Sequence, residues 1–471
     1  MNIEKIYNFY PVFGISLIIV LFNLLTIGSP VGIVITVVQY AIVGYLLIRK
    51  FYSTALFWHF FFICTGISLV SISGMDGGET MRLYNYASIK FIGPISLCYI
   101  LSIVFFIIAL FNKKARIQIP ELLFVFKILL FLAISGDVIG ILGFCFKSGY
   151  YLPDFIKYNI YIWMSIILLY DILVFVNNEM IRRIYFVSAP MLCGAIIASV
   201  LGYFCGVRTT YGILEIPLMS DVCYFGFLTL FALFYSKRHK IFIVIAIMGY
   251  FYLNMLAMTG KAVIMVAIAL IYIIYLIFFD SNFKQHNKKY LFPIKSFVIS
   301  GLVGIAIEIP ILMADTTSLT GIKINAALSI FSGDIGDVSN SPATRIAEIA
   351  NFYYNNRNNI FHLLFGNGYG GYFTDELGLL NGLDLRGGWS EDVIRTGRFS
   401  SAHDTFSVVP LLNGTVGFLL LMVIGYKFFK KVNRNYLYFA VVPWIIFTFY
   451  FNPLYAFCTL FFLTGAQYKS V

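Results

Sequence analysis

The chain of 471 residues is 60% hydrophobic and only 12% charged, with a mean hydropathy of +0.87. These values exclude an ordinary soluble domain and are typical of a protein with many membrane-spanning helices. The net charge of +11 does not indicate nucleic-acid binding. Most of the Lys and Arg lie in short connections between apolar runs, where positive charge reports membrane topology.

Apolar runs of spanning length follow one another along the chain, and each needs about 20 residues to cross a bilayer. They predict an all-α polytopic membrane protein with about 14 transmembrane helices and one large outward loop that contains short helices. The last two runs are short and only Asn452-Pro453 separates them, so they could instead form a re-entrant hairpin. The predicted spans are 9–27, 31–48, 54–73, 91–111, 121–146, 158–176, 184–206, 217–235, 241–258, 262–279, 294–314, 403–426, 436–451 and 454–466.

The connections between these runs alternate between basic and nearly neutral sequence. Basic connections stay in the cytoplasm, which predicts that both termini are cytoplasmic and that the longest connection faces outward. The chain then divides into a transmembrane bundle of about 11 helices at 1–314, a large outward loop at 315–402, and about three C-terminal transmembrane helices at 403–471.

The outward loop is the part of the chain in which function is expected, because long connections without that role are uncommon. It holds six Lys and Arg against nine Asp and Glu, so an anion site inside it depends on a few placed cations. A helix is predicted from Ser341-Pro342, a favoured N-cap followed by a favoured first helical residue. Its apolar face carries Ile346, Ile349 and Tyr353, and Arg345 and Glu348 lie on a neighbouring stripe.

A glycine-rich segment follows this helix and reads Phe365-Gly366-Asn367-Gly368-Tyr369-Gly370-Gly371. The glycines predict a tight turn in which the backbone comes close to another element. The segment lacks the Gly-Lys-Ser/Thr ending of a phosphate-binding P-loop.

His403 is the leading candidate for chemistry. It lies where the loop meets the next apolar helix, and an imidazole there can act as a general base near neutral pH. The alternative is an interfacial His that only hydrogen-bonds the backbone. His362, in an apolar stretch of the loop, is interpreted as a packing residue.

Three outward cations are candidates for binding phosphate. Lys261 would bind it as a point charge, although an anchor that reaches the lipid headgroups is the favoured interpretation. Arg345 offers a bidentate guanidinium, against the alternative of a solvated helix face. Arg208 is the third outward cation.

Ionisable residues also occur inside the predicted spans. Lys127 and Asp171 lie at similar depth on consecutive spans, which favours a structural ion pair. Asp137 and Glu308 are functional candidates because intramembrane carboxylates are costly, but they could equally hydrogen-bond within the bundle.

These outward motifs together resemble those of the O-antigen polymerase and O-antigen ligase superfamily. Thr259-Gly260-Lys261 resembles the Thr-Gly-Ser-Arg-type turn of that family, with Lys where Arg is usual. Arg345 followed by Leu364-Phe365-Gly366-Asn367-Gly368-Tyr369-Gly370 resembles its Arg-helix-glycine segment. His403-Asp404 followed by Leu411-Leu412-Asn413-Gly414-Thr415-Val416-Gly417 resembles its histidine signature, with Asp404 where Asn is common. The stretch from Arg208 to Pro217 is a weaker match.

The resemblance implies glycosyl transfer at the outer face of the bacterial inner membrane, in the periplasm, with no metal and no cofactor. The donor is a glycan on undecaprenyl diphosphate, the acceptor is a second lipid-linked glycan, and a chain-length regulator protein is a further partner. His403 would deprotonate the acceptor hydroxyl, and Arg345, Lys261 and Arg208 would hold the departing diphosphate. Asp404 would have a secondary role, since a carboxylate there favours the imidazolium and leaves less free base.

The expected function is therefore a polymerase that joins lipid-linked oligosaccharide repeat units. The main alternative is the ligase that transfers finished glycan to lipid A–core, because the two share motifs and differ in acceptor. A flippase for the same lipid-linked sugars would more naturally show internal repeats and shorter outer loops. A membrane scaffold would not need Lys261, Arg345 and His403 to converge.

Overall fold

The computed structural model is mostly helical, with a bundle of long apolar helices and a set of short elements packed on one end of it. The structure describes residues 9–27, 29–67, 84–92, 95–112, 119–147, 149–207, 340–381, 389–403, 405–431, 437–438, 449–450 and 453–468, together with Leu383, Leu385 and scattered residues between 241 and 303.

The helices in chain order are α1 (Phe9–Leu25), α2 (Gly32–Ile48), α3 (Tyr52–Cys64), α4 (Leu97–Phe111), α5 (Pro120–Phe146), α6 (Leu152–Phe175), α7 (Asn178–Phe204), α8 (Ser281–His286), α9 (Asn340–Asn355), α10 (Ile360–Phe365), α11 (Glu391–Thr396), α12 (Thr405–Phe429) and α13 (Pro453–Gly465). Two short antiparallel strands, β1 (Lys90–Ile92) and β2 (Ile95–Ser96), precede α4.

Four of these helices, α5, α6, α7 and α12, are long and apolar enough to cross a membrane, counted over the described residues. Helices α1 to α7, α12 and α13 coincide with predicted apolar runs, so their helical character is confirmed. The run predicted at 91–111 is wrong at its start, where β1 and β2 form a hairpin. The physical reason is Gly93-Pro94, a dipeptide that breaks helices.

The bundle is held by close helix contacts at small residues. Helix α1 packs along α7, where a Cβ at Gly194 would lie 2.5 Å from the carbonyl oxygen of Phe13. Beside it, the Ser16 hydroxyl donates to the carbonyl oxygen of Met191 at 2.7 Å. Small residues and hydroxyl hydrogen bonds are the usual means of association between apolar helices. Helix α13 is buried along its whole length, and at about 1.5 Å per residue it is shorter than a bilayer core.

The predicted ion pair between Lys127 and Asp171 is wrong. Lys127 is exposed on α5, whereas Asp171 is fully buried on α6 and neither of its carboxylate oxygens has a hydrogen-bond partner. Equal depth did not bring the side chains together because the two helices present them on different faces. Asp137 does hydrogen-bond within the bundle, where the Trp163 indole N–H donates to its Oδ2 at 3.0 Å. Glu308 lies outside the described residues.

The glycine segment (365–371) joins the chain between α9 and α12 to two long helices. Its Asn367 and Gly368 N–H groups donate to the carbonyls of Leu411 and Leu412 at 2.7 and 3.1 Å. These carbonyls are available because α12 leaves helical geometry at Gly414, whose φ is 67°. The predicted close approach is confirmed: Gly368 has a φ of 75°, and a Cβ there would lie 2.3 Å from the amide nitrogen of Gly140.

Candidate functional site

Helix α9 carries a polar buried face. Thr344, Glu348 and Asn351 are buried on it together with Ala347 and Phe352. The apolar stripe that the sequence suggested is the more exposed one, since Ile346 is 41% exposed. A buried carboxylate is costly unless it is hydrogen-bonded. The position of Glu348 therefore requires a partner from another part of the chain.

That partner is His403. The imidazole Nδ1 of His403 lies 2.5 Å from Oε1 of Glu348, and the backbone N–H of His403 is 3.2 Å from both carboxylate oxygens. The Glu348 side chain is 1% exposed and the His403 side chain is 28% exposed. A carboxylate accepts hydrogen bonds, so in the neutral form of the imidazole the proton is on Nδ1 and the lone pair is on Nε2. The arrangement orients an imidazole that can accept a proton at Nε2.

The Trp389 ring fixes the imidazole from a second side. The ring centroids of Trp389 and His403 lie 4.6 Å apart at an interplanar angle of 90°. The indole N–H of Trp389 donates to the carbonyl oxygen of Ser401 at 2.8 Å. The ring is therefore held in place by the same short segment that carries the histidine.

The histidine segment (400–403) is also tied to the bundle. The Ser400 hydroxyl donates to Oδ2 of Asp154 at 2.6 Å, and both residues are buried. Asp154 belongs to the first turn of α6. Two carboxylates from separate helices, Glu348 and Asp154, thus hold four consecutive residues of the loop against the end of the bundle.

Arg345 lies three residues before Glu348 on α9 and is partly buried. Side chains at this spacing are neighbours on a helix, with Cβ atoms about 5–6 Å apart. The structure therefore places one predicted cation, Arg345, on the same helix as Glu348, the residue that hydrogen-bonds His403. Lys261, Arg208 and Asp404 lie outside the described residues.

The glycine segment does not offer its backbone to an anion. The N–H groups of Asn367 and Gly368 are occupied by α12, and that of Tyr369 donates to the carbonyl oxygen of Gly136 at 3.0 Å. Tyr369 is fully buried, and its hydroxyl donates to the carbonyl oxygen of Leu132 at 3.1 Å. The segment thus fastens the loop to α5 and α12, and it brings together two of the three glycine-containing motifs that the resemblance rests on.

His362 is not simply a packing residue. Its Nδ1 lies 2.9 Å from the carbonyl oxygen of Gly366, and its Nε2 lies 2.8 Å from the ammonium nitrogen of Lys147. The interpretation of His362 as packing alone is therefore wrong. Its apolar neighbours in the sequence gave no sign of its partner Lys147, which lies 215 positions away.

The sequence made His403 a candidate but did not predict its contacts with Glu348 and Trp389, or the contact of Asp154 with Ser400. A signal for Glu348 was present, because a carboxylate on the loop helix could have been paired with the one candidate base.

No family model matches this chain, and no significant match exists among curated proteins or solved structures. The site must therefore be interpreted from its own chemistry.

Proposed function

We propose that this protein is a polymerase that joins undecaprenyl-diphosphate-linked oligosaccharide repeat units at the periplasmic face of the bacterial inner membrane. The observation that carries the proposal is the His403–Glu348 pair at the end of an apolar bundle. A histidine whose Nδ1 is held by a buried carboxylate has the arrangement of a general base. The motif resemblance supplies the substrate class.

In the proposed reaction, the acceptor hydroxyl attacks the anomeric carbon of the donor glycan. Nε2 of His403 takes the hydroxyl proton as the new glycosidic bond forms. The bond between the anomeric carbon and the diphosphate oxygen breaks, and the diphosphate leaves with the electron pair. Glu348 keeps its hydrogen bond at Nδ1 and offsets the positive charge that develops on the imidazole.

The departing diphosphate needs cations near the base. Arg345 is suited to this role because it shares α9 with Glu348 and a guanidinium binds phosphate oxygens in a bidentate manner. Lys261 and Arg208 are proposed as further contributors on the strength of the motif resemblance. Placed electrostatic donors of this kind are typically worth about 10²–10³ in rate.

A cavity in the outward loop is suited to the glycan. It has a volume of about 430 Å³ and is lined by Thr374, Asp375, Asn381 and Phe399 among others. The Phe399 ring packs on Trp389 at 4.8 Å, and Trp389 packs on His403. Polar groups around an apolar wall are typical of ligand pockets of this size. The cavity is therefore the proposed location of acceptor sugars.

The test is glycan profiling in a deletion strain that carries wild type, His403→Ala, Glu348→Gln or Arg345→Ala. Wild type should restore the full ladder. Variants that stop at one repeat unit on lipid A–core would support the polymerase. Arg395→Ala is the matched control for Arg345→Ala, because Arg395 is 80% exposed on the short helix α11.

Two other outcomes would overturn the proposal. Long lipid-linked polymer that never reaches the core would indicate the ligase. A normal ladder in all three variants would contradict the assignment of His403, Glu348 and Arg345 to the site. A flippase for the same lipid-linked sugars would then be the favoured function.

A further inference from the structure

A second group of basic side chains surrounds the connection between α5 and α6. Lys147 directly follows α5 and is exposed, and its ammonium contacts His362 at 2.8 Å. Arg398 approaches the same connection from the outward loop, since a Cβ at Gly149 would lie 2.2 Å from its Nη1. Three basic side chains from distant parts of the sequence therefore meet at one short connection.

The hydrogen bond between Lys147 and His362 uses only one of the N–H donors of the Lys147 ammonium. The Gly366 carbonyl oxygen can only accept, so Nδ1 of His362 carries a proton and Nε2 accepts from the ammonium. Burial of the imidazole and, after it, the charge of Lys147 lower the pKa of His362. The imidazole is therefore neutral and orients an ammonium that has three donors and uses one here.

The guanidinium of Arg398 is oriented by an aromatic ring. Its carbon lies 5.4 Å from the ring centroid of Tyr372, in cation–π contact. Tyr372 in turn packs against Tyr150 of the α5–α6 connection, with ring centroids 6.2 Å apart. The Tyr372 ring thus supports the cation on one side.

The charges of the two cations are not balanced by carboxylates among the described residues, where neither Lys147 nor Arg398 has an ion-pair partner. Asp154, which Ser400 contacts two residues after Arg398, is itself paired with Lys157 at 3.8 Å. Two cations beside one short connection, neither paired with a carboxylate, can bind an anion. A phosphate group suits an ammonium beside a guanidinium.

The cluster lies apart from the His403–Glu348 pair but on the same stretch of chain. Arg398 and His403 are five residues apart, which limits their separation to roughly 18 Å. In a reaction between two lipid-linked glycans, the attacking hydroxyl is separated from its own diphosphate by the sugars of the acceptor. A polymerase therefore needs one phosphate site beside the base and another at a distance from it.

We propose that Lys147 and Arg398, with His362 orienting Lys147, form a second phosphate site that holds the diphosphate group of the acceptor lipid. The identity of this ligand rests on the proposed polymerase function. The phosphate chemistry rests only on the three side chains. Arg345 and the cations near it would hold the donor diphosphate.

The test is calorimetric titration of the full-length protein in phosphatidylcholine nanodiscs with farnesyl diphosphate. Lys147→Gln/Arg398→Gln is expected to lose one of the bound equivalents or to weaken it on the order of 10- to 100-fold. Arg345→Gln should weaken the other equivalent instead. Lys90→Gln/Arg395→Gln is the control, because it removes the same charge from two exposed positions elsewhere. Unchanged binding by Lys147→Gln/Arg398→Gln would overturn the proposal.

Parallel titrations with phosphatidylglycerol and with inorganic diphosphate distinguish the source of the phosphate. Binding of phosphatidylglycerol as tight as that of farnesyl diphosphate, and equally dependent on Lys147 and Arg398, would overturn the acceptor assignment in favour of a headgroup contact. The titration needs no turnover. His403→Ala could leave the glycan ladder normal while binding still depends on Lys147 and Arg398. That result would support the phosphate site and contradict the proposed polymerase function.

Discussion

The glycine segment and the histidine segment both lie between α9 and α12 but use their backbones and side chains in opposite ways. In the glycine segment, three successive N–H groups are consumed by carbonyls of α5 and α12. In the histidine segment, the contacts to Glu348 hold the backbone N–H and Nδ1 of His403 and do not use Nε2. The comparison teaches that neighbouring segments can differ in role: the glycine segment fastens the chain to α5 and α12, and the histidine segment is the one proposed to react.

Replacement of His403 by Ala tests the reacting half of this comparison and should have the largest effect. Loss of a general base typically lowers a rate by about 10²–10⁴, which would leave single repeat units in the glycan profile. Thermal stability in detergent should also fall, because the buried Glu348 carboxylate loses its Nδ1 partner. The glycan profiles are therefore compared at matched amounts of folded protein. A normal ladder would show that His403 is not needed for the reaction, and the proposed difference between the two segments would be wrong.

Glu348→Gln should have the next largest effect. Glutamine can still accept the hydrogen bond from Nδ1, but it lacks the charge that offsets an imidazolium. A hydrogen bond to a charged group is worth about 1.5–3 kcal/mol, so the polymerisation rate should fall on the order of 10- to 100-fold. Glu391→Gln, at an exposed position of α11, should leave the rate unchanged. Equal rates in the two variants would contradict a role for Glu348.

Gly368→Ala tests the fastening half. A side chain at a φ of 75° costs about 1–3 kcal/mol, and its Cβ would also overlap the backbone of α5. The melting temperature of the purified protein should fall. Gly397→Ala is the matched control, since Gly397 has a φ of 63° but open space around it. If the control lowered the melting temperature as much, contact with α5 would not be the cause.

Tyr369→Phe should have the smallest effect of the four. It removes the hydroxyl that donates to Leu132 and also hydrogen-bonds Tyr450 and Asn413, at about 0.5–1.5 kcal/mol for each bond lost, and leaves the ring in place. The free energy of unfolding should fall by that amount while the glycan ladder stays normal. The comparison is with Tyr353→Phe, at a more exposed position on α9. A shortened ladder without lost stability would give the glycine segment a direct part in the reaction.

The sequence predicted more of the helices than of their contacts. The apolar runs marked α1 to α7, α12 and α13, because run length and hydropathy are local properties and a helix satisfies its own backbone in lipid. They did not predict the β1–β2 hairpin. The resemblance rested on the glycine segment and on the motif that begins at His403, and the structure shows the glycine segment packed on the helix that follows His403.

The sequence by itself determined the apolar helices, the close approach at Gly368, and His403 as the candidate base. Each follows from the residue type and its immediate neighbours. Only the tertiary structure decided that Glu348, 55 residues away, pairs with His403, and that Lys127 and Asp171 do not pair. The physical reason is that a partner depends on which face each helix turns toward its neighbours. That rotation is set by packing over the whole bundle.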